Sequence, residues 1–280
     1  MEKNEDRHCD KVTKIEHSLV TKLVYGETSA SSGIGAAAAV KFAEFGAKLA
    51  LIGRNYENLK EIAKKCDNAA GDKDENSYGT PLLIRADLTD EETTANIIGE
   101  VLKRFGQLDV LVNNAGIIEN GTIENTTLAQ FDRIMDMNVR SVYQLTMLAV
   151  PELIKTKGNI VNISSVCGLR AFPNVLAYNM SKSAIDQFTR CVALELAPKG
   201  VRCNSVNPGV VVTNLHKSSG MNDEAYEKFL EHCKTTHALG RAGDVEEVAN
   251  AICFLASDLA TFTTGMNMPV DGGRHAMCPR

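Results

Sequence analysis

Apolar runs alternate with helix-period segments along most of the chain. The runs are SLVTKLVY (18–25), KLALIG (48–53), PLLIRADL (81–88), DVLVNNA (109–115), NIVNIS (159–164), VRCNSVNP (201–208) and MNMPVD (266–271). Each is short and near-continuously apolar, as expected of strands buried on both faces. Between them lie amphipathic stretches. AAAAVKFAEFG (36–46) ends at a glycine, and SAIDQFTRCVALELA (183–197) sets Ile185, Phe188, Val192 and Leu196 on one face. The β-α-β-α alternation predicts an α/β fold, a single doubly wound domain with seven parallel strands flanked by helices. The domain is expected over 18–280, after a polar extension at 1–17. CDNAAGDKDENSYG (66–79) reads as a surface loop or helix end, and no internal repeat is present.

Composition narrows the partners. The 280 residues carry a net charge of −5, which argues against nucleic acid. No apolar run approaches the roughly 18 residues of a membrane span. The N-terminus lacks the apolar core of a signal peptide. The eight cysteines include no C-x2-C pair, so reduced thiols and a cytoplasmic location are expected. His216, His232 and His237 match no zinc spacing, and no metal is expected.

Ser165, Tyr178 and Lys182 have the spacing of a proton-transfer site. Tyr178 and Lys182 are four apart, hence one turn apart on one helix face. A free tyrosine with a pKa of about 10 is a poor acid or base near neutrality, and a nearby ammonium favours its phenolate. Ser165, at the end of an apolar run, can hydrogen-bond the oxygen that Tyr178 protonates. The turn TSASSGIG (28–35) follows the first strand and opens a helix. Its Ser29, Ser31, Ser32, Gly33, Ile34 and Gly35 let the backbone approach a pyrophosphate at a helix N-terminus. The second strand ends in Gly53, Arg54 and Asn55. An arginine here suits a ribose 2′-phosphate, so NADP(H) is expected over NAD(H). Glu57, the nearest acid, falls inside the next helix and faces solvent.

With NNAG (113–116), Pro208-Gly209 and VDGG (270–273), these residues resemble the short-chain dehydrogenase/reductase family over roughly 20–273. The similarity is to its branch of about 250 residues, which includes 3-oxoacyl-carrier-protein reductases and hydroxysteroid dehydrogenases. The resemblance implies a Rossmann-type sheet in the order 3-2-1-4-5-6-7. It makes Tyr178 the general acid/base, with Lys182 lowering its pKa and holding the nicotinamide ribose, and Ser165 holding the substrate oxygen. Asn138, in DMNVR (136–140), would anchor a relay water. Asp87, with Leu88 beside it, would meet the adenine; Asn114, Ala115 and Gly116 would pass beneath its ribose. Pro208, Gly209, Val211 and Thr213 would cover the nicotinamide amide and a phosphate, while Ser164 is structural. A homotetramer is implied, packed through helices at about 139–156 and 177–197 and the last strand.

One departure stands out. Ser29 occupies the position of the family's first turn glycine, which predicts weaker cofactor binding. It also motivates a competing reading, a nucleotide-binding regulator or weakly active enzyme. The substrate pocket is expected from Val166, Cys167, Gly168 and Pro173 and from 213–240. Leu215, Met221, Tyr226 and Phe229 are its candidate apolar contacts, and the substrate is a carbonyl or secondary alcohol of small-molecule size.

Overall fold

The computed structural model describes residues 24–28 as main chain, and residues 32–71, 79–213, 215 and 221–278 in full. Seven strands form one parallel sheet: β1 (Val24–Thr28), β2 (Lys48–Gly53), β3 (Leu82–Arg85), β4 (Val110–Asn113), β5 (Asn159–Ile163), β6 (Arg202–Pro208) and β7 (Asn267–Val270). Their order is β3-β2-β1-β4-β5-β6-β7. The order reverses between β1 and β4, and in open parallel sheets a crevice for ligands lies beyond the strand ends at such a point.

Helices cover both faces. On one lie α1 (Gly33–Glu44), α2 (Tyr56–Ala70) and, from later in the chain, Val245–Ala256. The other carries α3 (Glu91–Phe105) and, after α4 (Leu128–Met135), α5 (Ser141–Thr156). A short helix α6 (Val166–Leu169) follows β5. Then come α7 (Leu176–Leu196), α8 (Asp223–Thr236) and the last long helix, α9 (Val245–Ala256). Alternation along β2 shows the two-sided burial. Leu49 and Leu51 pack with Phe42, Leu59 and Ile252, whereas Ala50 and Ile52 pack with the cluster that includes Ile97, Leu145 and Leu196. Among the described residues no helix is long and apolar enough to cross a membrane.

Six strands lie within or very near the predicted runs, and among the described residues β1 shares only Val24 and Tyr25 with its run. The run at 18–25 predicts a strand that the structure puts at Val24–Thr28, pairing Val24 with Lys48, Thr28 with Ile52 and Tyr25 with Val110. A central strand has its main chain satisfied on both edges, and this pairing overrides the weak strand propensity of Gly26 and Glu27. Thr28 therefore ends the strand instead of starting the turn. Residues 18–23, the extension at 1–17, and Ser29 and Ser31 lie outside the described residues.

Candidate active site

A cavity of about 1000 Å³ opens beyond the C-terminal ends of the strands. At one end is the start of α1. Ser32 sits at its N-cap, yet its side chain accepts no hydrogen bond from the helix and the first turn holds no acid. The caps of α2, α3 and α8, by contrast, are filled by Asn55, Asp90 and Asn222. Gly33 has φ +60°, a conformation that disfavours a side chain, and faces Thr213. The N–H groups of this first turn are the donors an anion needs.

Ser32, Gly33, Ile34, Arg54, Asn114, Gly116, Pro208, Gly209, Val211 and Thr213 line this cavity together with Ser165, Tyr178 and Lys182. Gly35, Asn55, Asp87, Leu88 and Ala115 are not among its lining residues. Gly35, Leu88 and Ala115 are buried in the packing. Asn55 spends its side-chain oxygen on the Asn58 N–H at 3.1 Å. Asp87 accepts from Thr89 N (3.0 Å) and Oγ1 (2.8 Å), which together with the Arg54 charge hold its carboxyl below the usual range against the pull of burial. Glu57 is exposed on α2, as the sequence predicts.

At the other end, α7 presents Tyr178, Ser181 and Lys182 on one buried face. Lys182 Nζ donates to Ile163 O at 2.8 Å and lies 5.7 Å from the centre of the Tyr178 ring. Burial lowers the Lys182 pKa from 10.5 to about 8, although the carboxylate of Asp186 opposes the shift. Burial likewise pushes the Tyr178 phenol above its ordinary value, the Cys167 thiol adding and the Ser165 hydroxyl opposing. This corrects the expectation that Lys182 draws the Tyr178 pKa down. In a site this closed, loss of solvation is the largest cause. The resting phenol is protonated at neutral pH, as a free tyrosine is.

Ser165 follows β5 and caps α6, its Oγ accepting from Cys167 N at 3.1 Å. Ser164 donates to Lys182 O, consistent with a structural role. Asn138 sits on a π-helical turn, Asp136–Arg140, between α4 and α5. Its amide accepts from Ile117 N (2.8 Å) and donates to Ile117 O (2.9 Å) and Ser181 Oγ (3.0 Å). It thus ties the segment after β4 to α7. A methyl group on Gly116 would lie 3.3 Å from Asn138 Oδ1 and 3.4 Å from Lys182 Nζ, which shows how closely these three residues approach.

Sequence reasoning missed the polar frame behind this face. Asn207 Nδ2 donates to both oxygens of buried Asp186 (2.9 and 3.0 Å) and to Ser165 O (2.9 Å). Gly168 packs where a methyl group would meet the Asp186 carboxylate and stand 2.8 Å from Lys182 O. His237, set aside as a metal ligand, accepts from Val210 N through Nε2 at 3.2 Å and so fastens the segment after β6. The isolated polar residues of strands carry no periodic signal, so only their partners across the fold reveal them. Of the expected pocket residues, Val166, Cys167, Pro173, Leu215, Met221 and Phe229 line the cavity. Gly168 and Tyr226 do not, and Tyr226 instead donates to Thr213 O. His216 lies outside the described residues.

The chain is similar to known proteins over most of its length. The enoyl-(acyl carrier protein) reductase family profile matches residues 29–275. The chain is 36% identical over 249 residues to meso-2,3-butanediol dehydrogenase of Serratia marcescens, covering 89% of this chain and 93% of that one. It is 34% identical over 247 residues to a 3-oxoacyl-(acyl-carrier-protein) reductase of Thermotoga maritima, covering 88% and 95%. A short-chain dehydrogenase/reductase of unknown function from Caenorhabditis elegans, solved with cofactor, superposes with a TM-score of 0.84 at 35% identity, covering 94% of this chain and 97% of that one.

Proposed function

Because the chain belongs to the short-chain dehydrogenase/reductase family, we propose that this oxidoreductase moves a hydride between NADP(H) and a carbonyl or secondary alcohol, with Tyr178 as general acid/base. The convergence of Ser165, Tyr178 and Lys182 on one cavity that ends at the open N-terminus of α1 carries the reading. The uncapped first turn, the glycines at 33 and 116 and the Arg54 side chain fit a dinucleotide with a 2′-phosphate. When bound, the reduced nicotinamide supplies the hydride.

The chain's own groups do the rest. Tyr178, kept protonated by burial, gives its proton to the substrate oxygen as negative charge develops there. Ser165 Oγ already accepts from Cys167 N, an arrangement that leaves its hydroxyl proton to donate to the same oxygen. The Lys182 ammonium, anchored on Ile163 O, balances the phenolate that remains. Asn138 positions the segment after β4 against α7. In the oxidation direction Tyr178 takes the proton back.

The regulator reading rests on Ser29 and the unusual first strand, and the named relatives above are a dehydrogenase and a reductase. For assembly, exposed Tyr143 and Met147 on α5 and Leu194 on α7 support a homotetramer packed through those helices, which light scattering tests. The activity is tested on a panel of ketones and alcohols with NADPH and NADH side by side. NADPH should be preferred, and Arg54→Asp should shift the preference toward NADH by about tenfold or more. A wild-type preference for NADH would overturn the cofactor assignment.

A further inference from the structure

The cavity is positively charged in a negatively charged protein. Its described lining includes Arg54, Arg170, Lys182 and Arg274 and contains no Asp or Glu, although the chain holds 35 acidic residues against 30 basic ones. Three of these charges have other work. Arg54 stands at the dinucleotide end, and Lys182 is fixed on Ile163 O beside Tyr178. Arg170 donates through Nη1 to the carbonyls of His275 (2.9 Å) and Met277 (2.5 Å), and so clamps the C-terminal segment against the cavity wall.

That segment carries Arg274 in the short turn Arg274–Ala276 after β7. The Phe172 ring covers one face of its guanidinium, 4.5 Å from the central carbon. Its Nε is closed to solvent and has no hydrogen-bond partner among the described residues. The nearby carboxylate, Asp271, is already taken by Gly273 N (3.0 Å), His275 N (2.6 Å) and His275 Nδ1 (2.9 Å). Burial pulls the Arg274 pKa down, yet a guanidinium stays charged. With one face stacked on Phe172 and Nε enclosed, the terminal Nη groups are the part of this half-buried cation that can meet an acceptor from the cavity.

We propose that Arg274 binds an oxyanion on the substrate, so that the physiological carbonyl compound is an oxo acid whose carboxylate lies at the Arg274 wall while its ketone meets Tyr178 and Ser165. The inference rests on the hydride-transfer reading above and adds the substrate class to it. A planar carboxylate suits an arginine whose one face is stacked, since it approaches in the guanidinium plane. The neutral ester of the same acid offers no charge and leaves the cation as poorly satisfied as before.

The test uses the full-length protein with NADPH on 3-oxobutanoate, 4-oxopentanoate and 5-oxohexanoate, each beside its methyl ester. For at least one pair, kcat/KM for the acid should exceed that for the ester by about tenfold or more, mainly through KM. That ratio should collapse in Arg274→Met and survive in part in Arg274→Lys. Equal turnover of acid and ester in all three pairs overturns the proposal, as does a ratio that Arg274→Met leaves unchanged. Failure of the hydride-transfer reading looks different: no acid and no ester is turned over. Melting curves then decide. The three acids, and not the esters, should raise the melting temperature of the wild type and have no such effect on Arg274→Met; equal shifts in the two proteins overturn the proposal.

Discussion

Replacing Lys182 with methionine should stabilise the folded protein at neutral pH while removing most of its turnover. The amine is buried, and its pKa falls from 10.5 to about 8. Below both values the proton is bound more tightly by the unfolded chain, at about 1.4 kcal/mol per pH unit, so the charged lysine withholds about 3 kcal/mol of stability at pH 7. Methionine has a similar length and no charge. Its cost is the hydrogen bond to Ile163 O, about 1–2 kcal/mol. The balance is a gain of about 1–2 kcal/mol, or a rise of about 2–3 °C in melting temperature for a chain of this size.

The sign depends on pH in a defined way. Because the folded pKa lies below the unfolded one, the penalty is present in full below about pH 8 and fades as pH rises toward 10.5. Calorimetric melts of both proteins at pH 7 and pH 10 should therefore show the advantage of methionine at pH 7 shrinking or reversing at pH 10. A lower melting temperature for Lys182→Met at pH 7 refutes the reasoning, and so does a difference that is the same at both pH values. Turnover should fall about 100- to 1000-fold, because no positive charge then balances the phenolate.

Tyr178→Phe should lower reductase kcat by about 100- to 10,000-fold while NADPH still raises the melting temperature, measured by steady-state rates and thermal shift. The kcat/KM for reduction in the wild type should be level below neutrality and decline above about pH 8 as Lys182 loses its charge, read from a pH profile. Gly168→Ala forces a methyl group onto Asp186 and Lys182 O, and should cost about 1–3 kcal/mol in urea unfolding; an unchanged midpoint contradicts the packing. Burial, aided by the Arg274 charge, lowers the His237 pKa, and its Nε2 accepts from Val210 only when neutral. The unfolded chain therefore takes up the proton first as pH falls through about 6.5, and stability should drop there. The wild type should lose more stability than His237→Asn between pH 7.5 and 5 in urea titrations.

Much of the architecture can be read along the chain because burial on both faces of a parallel sheet demands uninterrupted apolar runs. KLALIG and NIVNIS are strands in the structure within a residue of their predicted limits. Of the predicted helix face, Ile185, Val192 and Leu196 are buried and Phe188 is partly buried. The pairing of Tyr178 with Lys182 is equally local, since four positions on a helix place two side chains together whatever surrounds them. The strand β1 shows the limit of this logic. Its placement depends on hydrogen bonds to β2 and β4, and those bonds lie 20 or more residues away in sequence.

The order of hydrophobic and polar residues thus determined the strands, the helices and the side-by-side placing of Tyr178 and Lys182, because each depends on contacts within a few residues. The tertiary structure alone decided the direction in which the Tyr178 and Lys182 pKa values move, since burial comes from the whole fold. It also decided which lone polar residues matter. Asn207 ties Asp186 to the Ser165 backbone, Gly168 leaves room for Asp186 and Lys182 to approach, and Arg274 reaches the cavity only because the last described turn is fastened by Arg170. Such roles arise from distant segments meeting at one point, which no local pattern records.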